Sequence, residues 1–430
     1  MSREMKDSGI AWIGDIPKEW EVCPIRRIMR NRSERNQPNA EVLSLYRDWG
    51  IVPKNSRDDN HNVTSEDTTN YKVVHKGDFV INKMKAWQGS MAVSDYDGII
   101  SPAYYVCYFT NDNVNKRYIH HLLRNESYKT EYMRLSSGLR VGQWDLNIEN
   151  FLRIPMVLPS LPEQQKIADY LDKVCCEVDD LVALQETMIE ELKGYKQSVI
   201  TEAVTKGLNP NAPMRNSGID WIGEIPEHYD ICRVKNIASL FGRIGFRGYT
   251  SDDLNKDGEG AITLSPSNMI PMGMDYSKVT YLSWKKYEES PEIMIRNHDL
   301  LMVKTGSSYG KVSYVDNLPK EATINPQILR IVPSVNSKYL GYYMQTDLFI
   351  YQVEGGVVGG TIPTISQEKI NNFYVILPNA NEQQQIASYL DTKCSEIDAL
   401  IAIKQQKIEE LKEYKKSVIY EYVTGKKEVA

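Results

Sequence analysis

Two stretches of the chain carry an apolar stripe at helical spacing for about forty residues each. Over residues 162–206, Ile167, Leu171, Val174, Val178, Leu181, Gln185, Met188, Leu192, Tyr195 and Val199 step alternately by four and three. That is the heptad spacing of a coiled-coil seam with one polar interruption. Pro162 followed by Glu163 supplies a helix start, and Gly207 a stop. Over 381–424 the stripe returns as Ile386, Leu390, Ile397, Leu400, Leu411, Tyr414 and Val418. Lys393, Lys404 and Lys407 interrupt it, and Ile401 and Ile408 offer a neighbouring apolar line, so this seam is expected to broaden or shift. Helices of this length exceed the usual globular range, which favours their pairing; each should run about 60 Å.

The remaining chain is patterned in shorter pieces. Residues 73–82 and 300–303 are apolar runs of strand length beside the turn-forming Gly77-Asp78 and Asn297-His298-Asp299. Residues 151–158 and 373–377 are similar runs closed by Pro159 and Pro378, and 118–123 and 339–344 read as short helices. Most of these pieces occur twice, in one order. Ser8-Gly-Ile-Ala-Trp-Ile-Gly-Asp-Ile-Pro17 returns as Ser217-Gly-Ile-Asp-Trp-Ile-Gly-Glu-Ile-Pro226. Pro162-Glu-Gln-Gln-Lys-Ile-Ala-Asp-Tyr-Leu-Asp172 returns as Asn381-Glu-Gln-Gln-Gln-Ile-Ala-Ser-Tyr-Leu-Asp391. Between these ends the likeness thins to His75-Lys-Gly-Asp-Phe-Val-Ile-Asn-Lys83 beside Arg296-Asn-His-Asp-Leu-Leu-Met-Val-Lys304. The expected fold class is α/β in the α+β sense, two mixed domains in tandem (1–160 and 208–378), each followed by a long helix (161–207 and 379–430). Alike ends point to a shared task, and divergent middles to related but different ones.

Composition adds limits to this picture. The 430 residues, 41% apolar, suit two or three ordinary domains. No apolar run approaches the roughly 20 residues that span a bilayer. Arg3, Glu4, Lys6 and Asp7 with no hydrophobic stretch behind them argue against a secretory signal, and six cysteines without a CxxC pair fit a reducing cytoplasm. The net charge of −6 is concentrated: residues 161–207 hold five Lys/Arg against ten Asp/Glu, while Arg26, Arg27, Arg30, Arg32 and Arg35 cluster elsewhere. Charge therefore neither excludes a nucleic-acid partner nor favours one.

Catalytic patterns are missing. Asn325-Pro326-Gln327 lacks the second proline and aromatic of an amino-methyltransferase motif and reads as a strand cap. Gly306-Ser-Ser-Tyr-Gly310-Lys311 falls one residue short of Walker A spacing and has no magnesium-binding Ser/Thr. Glu191-Leu-Lys193 and Glu410-Leu-Lys412 lie on the long helices, as ordinary charged positions of a solvated face. Histidines 61, 75, 120, 121, 228 and 298 form no metal-binding pair, and Gly355-Gly356 and Gly359-Gly360 read as loop. No catalytic residue and no metal ligand is expected.

At its repeated ends the chain resembles the specificity subunits of type I restriction–modification systems. The likeness rests on residues 8–17 and 217–226, the Glu-Gln-Gln-x-Ile-Ala-x-Tyr-Leu-Asp starts after Pro162 and Asn381, and the Glu-Leu-Lys-x-Tyr-Lys-x-Ser-Val-Ile runs at Glu191 and Glu410. One departure is Asn381 where the first copy has Pro162. The resemblance implies two target-recognition domains whose long helices pack antiparallel as a spacer. It implies a cytoplasmic, non-catalytic protein that directs modification and restriction subunits to a bipartite, asymmetric site on double-stranded DNA. The partners would be two methyltransferase subunits and, through them, the restriction subunits. AdoMet, ATP and Mg would belong to those partners, with no cofactor on this chain. The competing readings are a coiled-coil scaffold with ligand-binding heads and a self-contained methyltransferase or nuclease.

For the seam, the expected residues are Ile167, Leu171, Val174, Val178, Leu181, Met188, Leu192, Ile386, Leu390, Ile397, Leu400, Leu411 and Val418. DNA contacts are expected in loops at equivalent places of the two middles. Lys83, Lys85, Trp87 and Gln88 follow one strand, and Lys304, Ser307, Tyr309 and Lys311 follow its counterpart. Arg140, Gln143 and Thr361 lie in later loops. These mix cations for phosphates, amides or hydroxyls for base edges, and glycines for close approach.

Overall fold

A computed structural model describes residues 3–47, 49–56, 67–138, 144–245, 248–255, 258–356 and 363–429. The chain forms two compact units, Met1–Glu186 with Gln405–Ala430, and Thr187–Lys404. Each holds one mixed domain and a stretch of both long helices, Leu161–Lys206 and Ala380–Val423.

In the first unit, a hairpin joins Met5–Asp7 to Asp15–Pro17. The Gly9 amide donates to the Asp7 carboxylate at 2.9 Å and the Ile10 amide to Ser8 Oγ at 3.1 Å. Gly9 holds φ +69°, which a side chain would strain. The turn sends Ile10, Ile13 and Ile16 into the core and sets Trp12 edge-on to Tyr128. An antiparallel sheet in the order Met29–Arg32, Tyr104–Phe109, Phe79–Asn82, Met91–Val93 forms the centre. Residues 73–82 are not one strand. Gly77, at φ +91°, turns the chain between Lys72–Val74 and Phe79–Asn82, and Asp78 closes that turn by accepting from the His75 amide. Nor is 151–158 one strand: Asn147 caps a helix, Ile148–Arg153, by accepting from the Glu149 amide, and the strand starts at Pro155.

The second unit repeats the frame. Its hairpin joins Met214–Asn216 to Glu224–Pro226, with Asn216 and Ser217 accepting from the Gly218 and Ile219 amides. Its central sheet runs Ala238–Gly242, Ile328–Pro333, Leu300–Val303, Val312–Tyr314, again antiparallel. The units differ in what they add. The first adds two-stranded pairs, Leu43–Tyr46 with Gly50–Pro53 and Lys72–Val74 with Gly98–Ile100. The second adds a four-stranded sheet in which Ala261–Leu264 and Ala322–Ile324 run parallel.

The repeated helix starts are structural fasteners. Gln164 takes the Asn115 amide on its side-chain oxygen and gives its amide to the Pro159 carbonyl; Gln383 does the same with Asn336 and Pro378. Asn115 and Asn336 in turn cap the helices Lys116–Arg124 and Ser337–Tyr343. Asp172 binds Arg117 and His121, and Asp391 binds Lys338 and Tyr342. Asn379 caps the C-terminal helix by accepting from the Glu382 amide at 3.0 Å, so Asn381 needs no proline. Two of the buried tyrosines, Tyr118 and Tyr339, tie each domain to the end of a long helix. Tyr118 donates to the Val157 and Val423 carbonyls, and Tyr339 to Ile376 and Val204.

Within each unit the long helices also meet through an ion pair, Lys415–Asp179 in the first and Lys196–Asp398 in the second, both at 2.7 Å. Most of the expected seam is buried, and two of its positions are not. Ile167, Leu171, Val178, Ile386, Leu390, Ile397 and Val418 are buried, and Val174, Met188, Leu192 and Leu411 are half-buried, but Leu181 and Leu400 are 46% and 48% exposed. Tyr195 and Tyr414 are exposed too. A line at every eleventh residue is buried as well: Ile167, Val178, Ile189 and Ile200 on one helix, and Ile386, Ile397, Ile408 and the partly buried Ile419 on the other. Eleven residues in three turns is 3.67 per turn, close to an unsupercoiled helix. A heptad line on an ideal helix of 3.6 residues per turn drifts by about 20° per repeat, so the two lines part along the helix.

Candidate nucleic-acid interface

In the first unit, Asn82 ends its strand by accepting from the Met84 amide at 3.1 Å, and Gly89, at φ +79°, closes the short helix Ala86–Gln88. The turn is tied to two others: the Lys83 amide donates to the Ala103 carbonyl, and the Lys83 carbonyl accepts from Leu146 at 3.1 Å. The candidate side chains take distinct places. The Lys83 ammonium lies 4.7 Å from the centre of the Tyr105 ring, and the Lys72 ammonium lies 5.3 Å from the same ring. Lys72 is buried, donates to the Tyr104 carbonyl, and has its pKa pushed down to about 8 by burial, with Lys83 and Arg35 adding repulsion. Lys85 is exposed. Trp87 packs on Trp144 at 5.2 Å and donates its indole N–H to the Met84 carbonyl. Gln88 accepts from Arg47 at 2.5 Å, so one end of its amide is already engaged.

The second unit builds the equivalent turn from smaller parts. The Lys304 amide donates to the Gln327 carbonyl at 2.8 Å, and the Lys304 carbonyl accepts from Ile365 at 2.9 Å. Gly306, at φ +107°, donates to the Pro363 carbonyl. The Lys304 side chain is half-buried, which pushes its pKa down. Ser307 is exposed, Tyr309 packs against the core, and Lys311 reaches the Pro266 carbonyl at 3.4 Å. Arg140, Gln143 and Thr361 lie outside the described residues.

The turns at Lys83 and Lys304 are thus each tied to the segment that follows a later expected loop, through the matched Leu146 and Ile365 amides. Lys72, Tyr105 and Arg47, which the sequence reading does not single out, pack against the candidate side chains. A cation inside the apolar run Tyr71-Lys72-Val73-Val74 was the available signal for the first of these. Among the described residues no group of acidic, histidine or cysteine side chains has metal-binding spacing, and no helix is long and apolar enough to cross a membrane.

The family model for the type I restriction modification DNA specificity domain matches residues 17–193 and 257–413. The MjaVIII specificity subunit of Methanocaldococcus jannaschii is 22% identical over 96% of this chain and 93% of its own length. The putative MjaX specificity subunit of that organism is 24% identical over 96% and 95%. A chain solved in work on assembly and conformational transition of the type I restriction–modification system superposes with a TM-score of 0.71 at 16% identity, covering 95% of this chain and 98% of that one. The HsdS subunit of Thermoanaerobacter tengcongensis gives 0.52 with the same identity and coverage. The two Methanocaldococcus relatives are specificity subunits, the non-catalytic component of such systems. With two matched segments, each falling in one copy of a duplicated fold, the chain belongs to the type I restriction–modification DNA specificity family.

Proposed function

We propose that this chain reads a bipartite, asymmetric site on double-stranded DNA, one domain per half-site, and carries methyltransferase subunits and, through them, restriction subunits to it. The observation that carries this reading is the repetition of one frame with two different turns: equal sheet orders, equal ties at Lys83 and Lys304, and unlike side chains around them. An asymmetric site needs two readers that differ in their contacts but not in how they are mounted. AdoMet, ATP and Mg act on the partner subunits in this reading. The helices space the readers, with half-sites about 10 bp apart, one turn of the duplex. Two copies of the methyltransferase subunit dock where the repeat leaves apolar side chains in solvent: Leu181 and Leu184 in the first unit, Leu400 and Ile403 in the second.

Filter binding with the purified chain plus methyltransferase subunit, with and without AdoMet, tests the reading, together with methylome sequencing of a host carrying and lacking the chain. A bipartite methylated motif that vanishes with the chain is the expected result. A methylome indifferent to the chain would overturn it.

A further inference from the structure

The turn entering the second strand of each central sheet is the same in both units, and only its side chains differ. In the first unit it is Ser101-Pro102-Ala103; in the second, Asn325-Pro326-Gln327. Three hydrogen bonds match. The Ala103 amide donates to Ser101 Oγ at 3.4 Å and the Gln327 amide to Asn325 Oδ1 at 3.0 Å. The Tyr104 amide donates to the Ser101 carbonyl and the Ile328 amide to that of Asn325. The Lys83 amide donates to the Ala103 carbonyl and the Lys304 amide to that of Gln327. The prolines hold the preceding residue extended in both. On this shared mount the first domain carries a methyl group and the second carries a primary amide.

That amide is exposed and aimed by its neighbours. Asn325 Nδ2 donates to Gln327 Oε1 at 3.2 Å, which fixes the plane of the glutamine amide. Gln327 Nε2 has no partner among the described residues, and Oε1 keeps a second lone pair. Gly306 keeps side-chain atoms off the amide: a β-carbon there would touch Gln327 Nε2 at 3.5 Å.

We infer that Gln327, positioned by Asn325, reads an adenine in the half-site recognised by the second domain. Nε2 donates to adenine N7 and Oε1 accepts from N6, the bidentate pairing that a glutamine makes in the major groove. Ala103 makes no such contact in the first domain. The inference rests on the DNA-reading role proposed above and names one of its contacts.

The test is selection from duplexes with a randomised second half-site, using the full chain with its methyltransferase subunit, for wild type, Gln327→Ala and Gln327→Glu. Gln327→Ala keeps the fold, because the first unit makes this turn with alanine; a melting curve checks it. Its preference for adenine at one position should fall about tenfold, with the first half-site and the other positions unchanged. Gln327→Glu, which can only accept, should move that position towards cytosine. If wild type selects a bipartite site and both variants select the same one, or if affinity falls evenly at every position, the adenine contact is overturned and the DNA-reading role stands. If wild type selects no site, both fall together.

Discussion

In the first unit the turn after Phe79–Asn82 is made of rings and cations: Lys83 and Lys72 on Tyr105, Trp87 on Trp144, Arg47 on Gln88. In the second, the turn after Leu300–Val303 is made of Gly306, Ser307 and Gly310, with amides nearby at Asn325 and Gln327. The backbone ties are nevertheless the same. This separation of mount from contact explains how the middles diverge so far: a side chain at the tip changes what is bound without disturbing a strand. The same contrast extends below the surface. Asp299 and Arg330 form a pair with side chains 5% and 9% exposed, whereas in the first unit Asp78 binds an Arg32 that is 26% exposed.

That last difference gives the largest expected effect. Asp299→Ala strands a buried guanidinium and should destabilise the second unit by about 3–5 kcal/mol, whereas Asp78→Ala should cost the first unit distinctly less, since Arg32 can turn to water. Hydrogen exchange read separately over each unit measures both, and equal losses would refute the contrast. Next, replacing Lys83 and Lys85 together with alanine should weaken DNA binding and flatten its salt dependence, by about 0.9 in the log–log slope for each phosphate no longer neutralised. An unchanged slope in a salt titration removes this turn from the interface.

A third effect is smaller and belongs to the first unit alone. Lys72 holds its proton in the folded state only up to a pH of about 8, while the unfolded chain holds it to the ordinary lysine range. Above pH 8 the unfolded state therefore binds more protons, and stability rises with pH. Wild type should gain stability relative to Lys72→Met between about pH 8 and 10, and parallel unfolding curves across that window would disprove it. The smallest effects come from the exposed ion pairs of the helices. Lys196→Ala and Lys415→Ala should each cost about 0.2–1 kcal/mol in denaturant unfolding, and should match each other, because the two pairs are copies.

Much of the frame is legible in the sequence because it is made by local chemistry. Ser8, Gly9 and their repeats at Ser217 and Gly218 form a turn through their own side chains and φ preference, and the Glu-Gln-Gln starts mark helix ends. The seam is legible at most of its positions and misplaced at two, Leu181 and Leu400. Ile167, Val178, Ile189 and Ile200 stand in plain sight at eleven-residue steps, yet four-and-three stepping also finds apolar residues along most of the helix, and only burial separates the two. The candidate interface is legible only as loops. What ties Lys83 to Ala103 and Leu146 is backbone hydrogen bonding between distant segments, and backbone bonding leaves no trace in residue type.

The reach of Tyr118 to the Val423 carbonyl has a consequence for how the protein is made. The second unit is one uninterrupted stretch, Thr187–Lys404, whereas the first closes only when Gln405–Ala430 arrives. On the ribosome the amino-terminal domain must therefore wait, holding its apolar sheet without the helix end that seals it, while the later half is able to complete its fold first. A chain stopped short of residue 405 would carry one finished reader and one unsealed, and the unsealed one would be the half that was synthesised earlier.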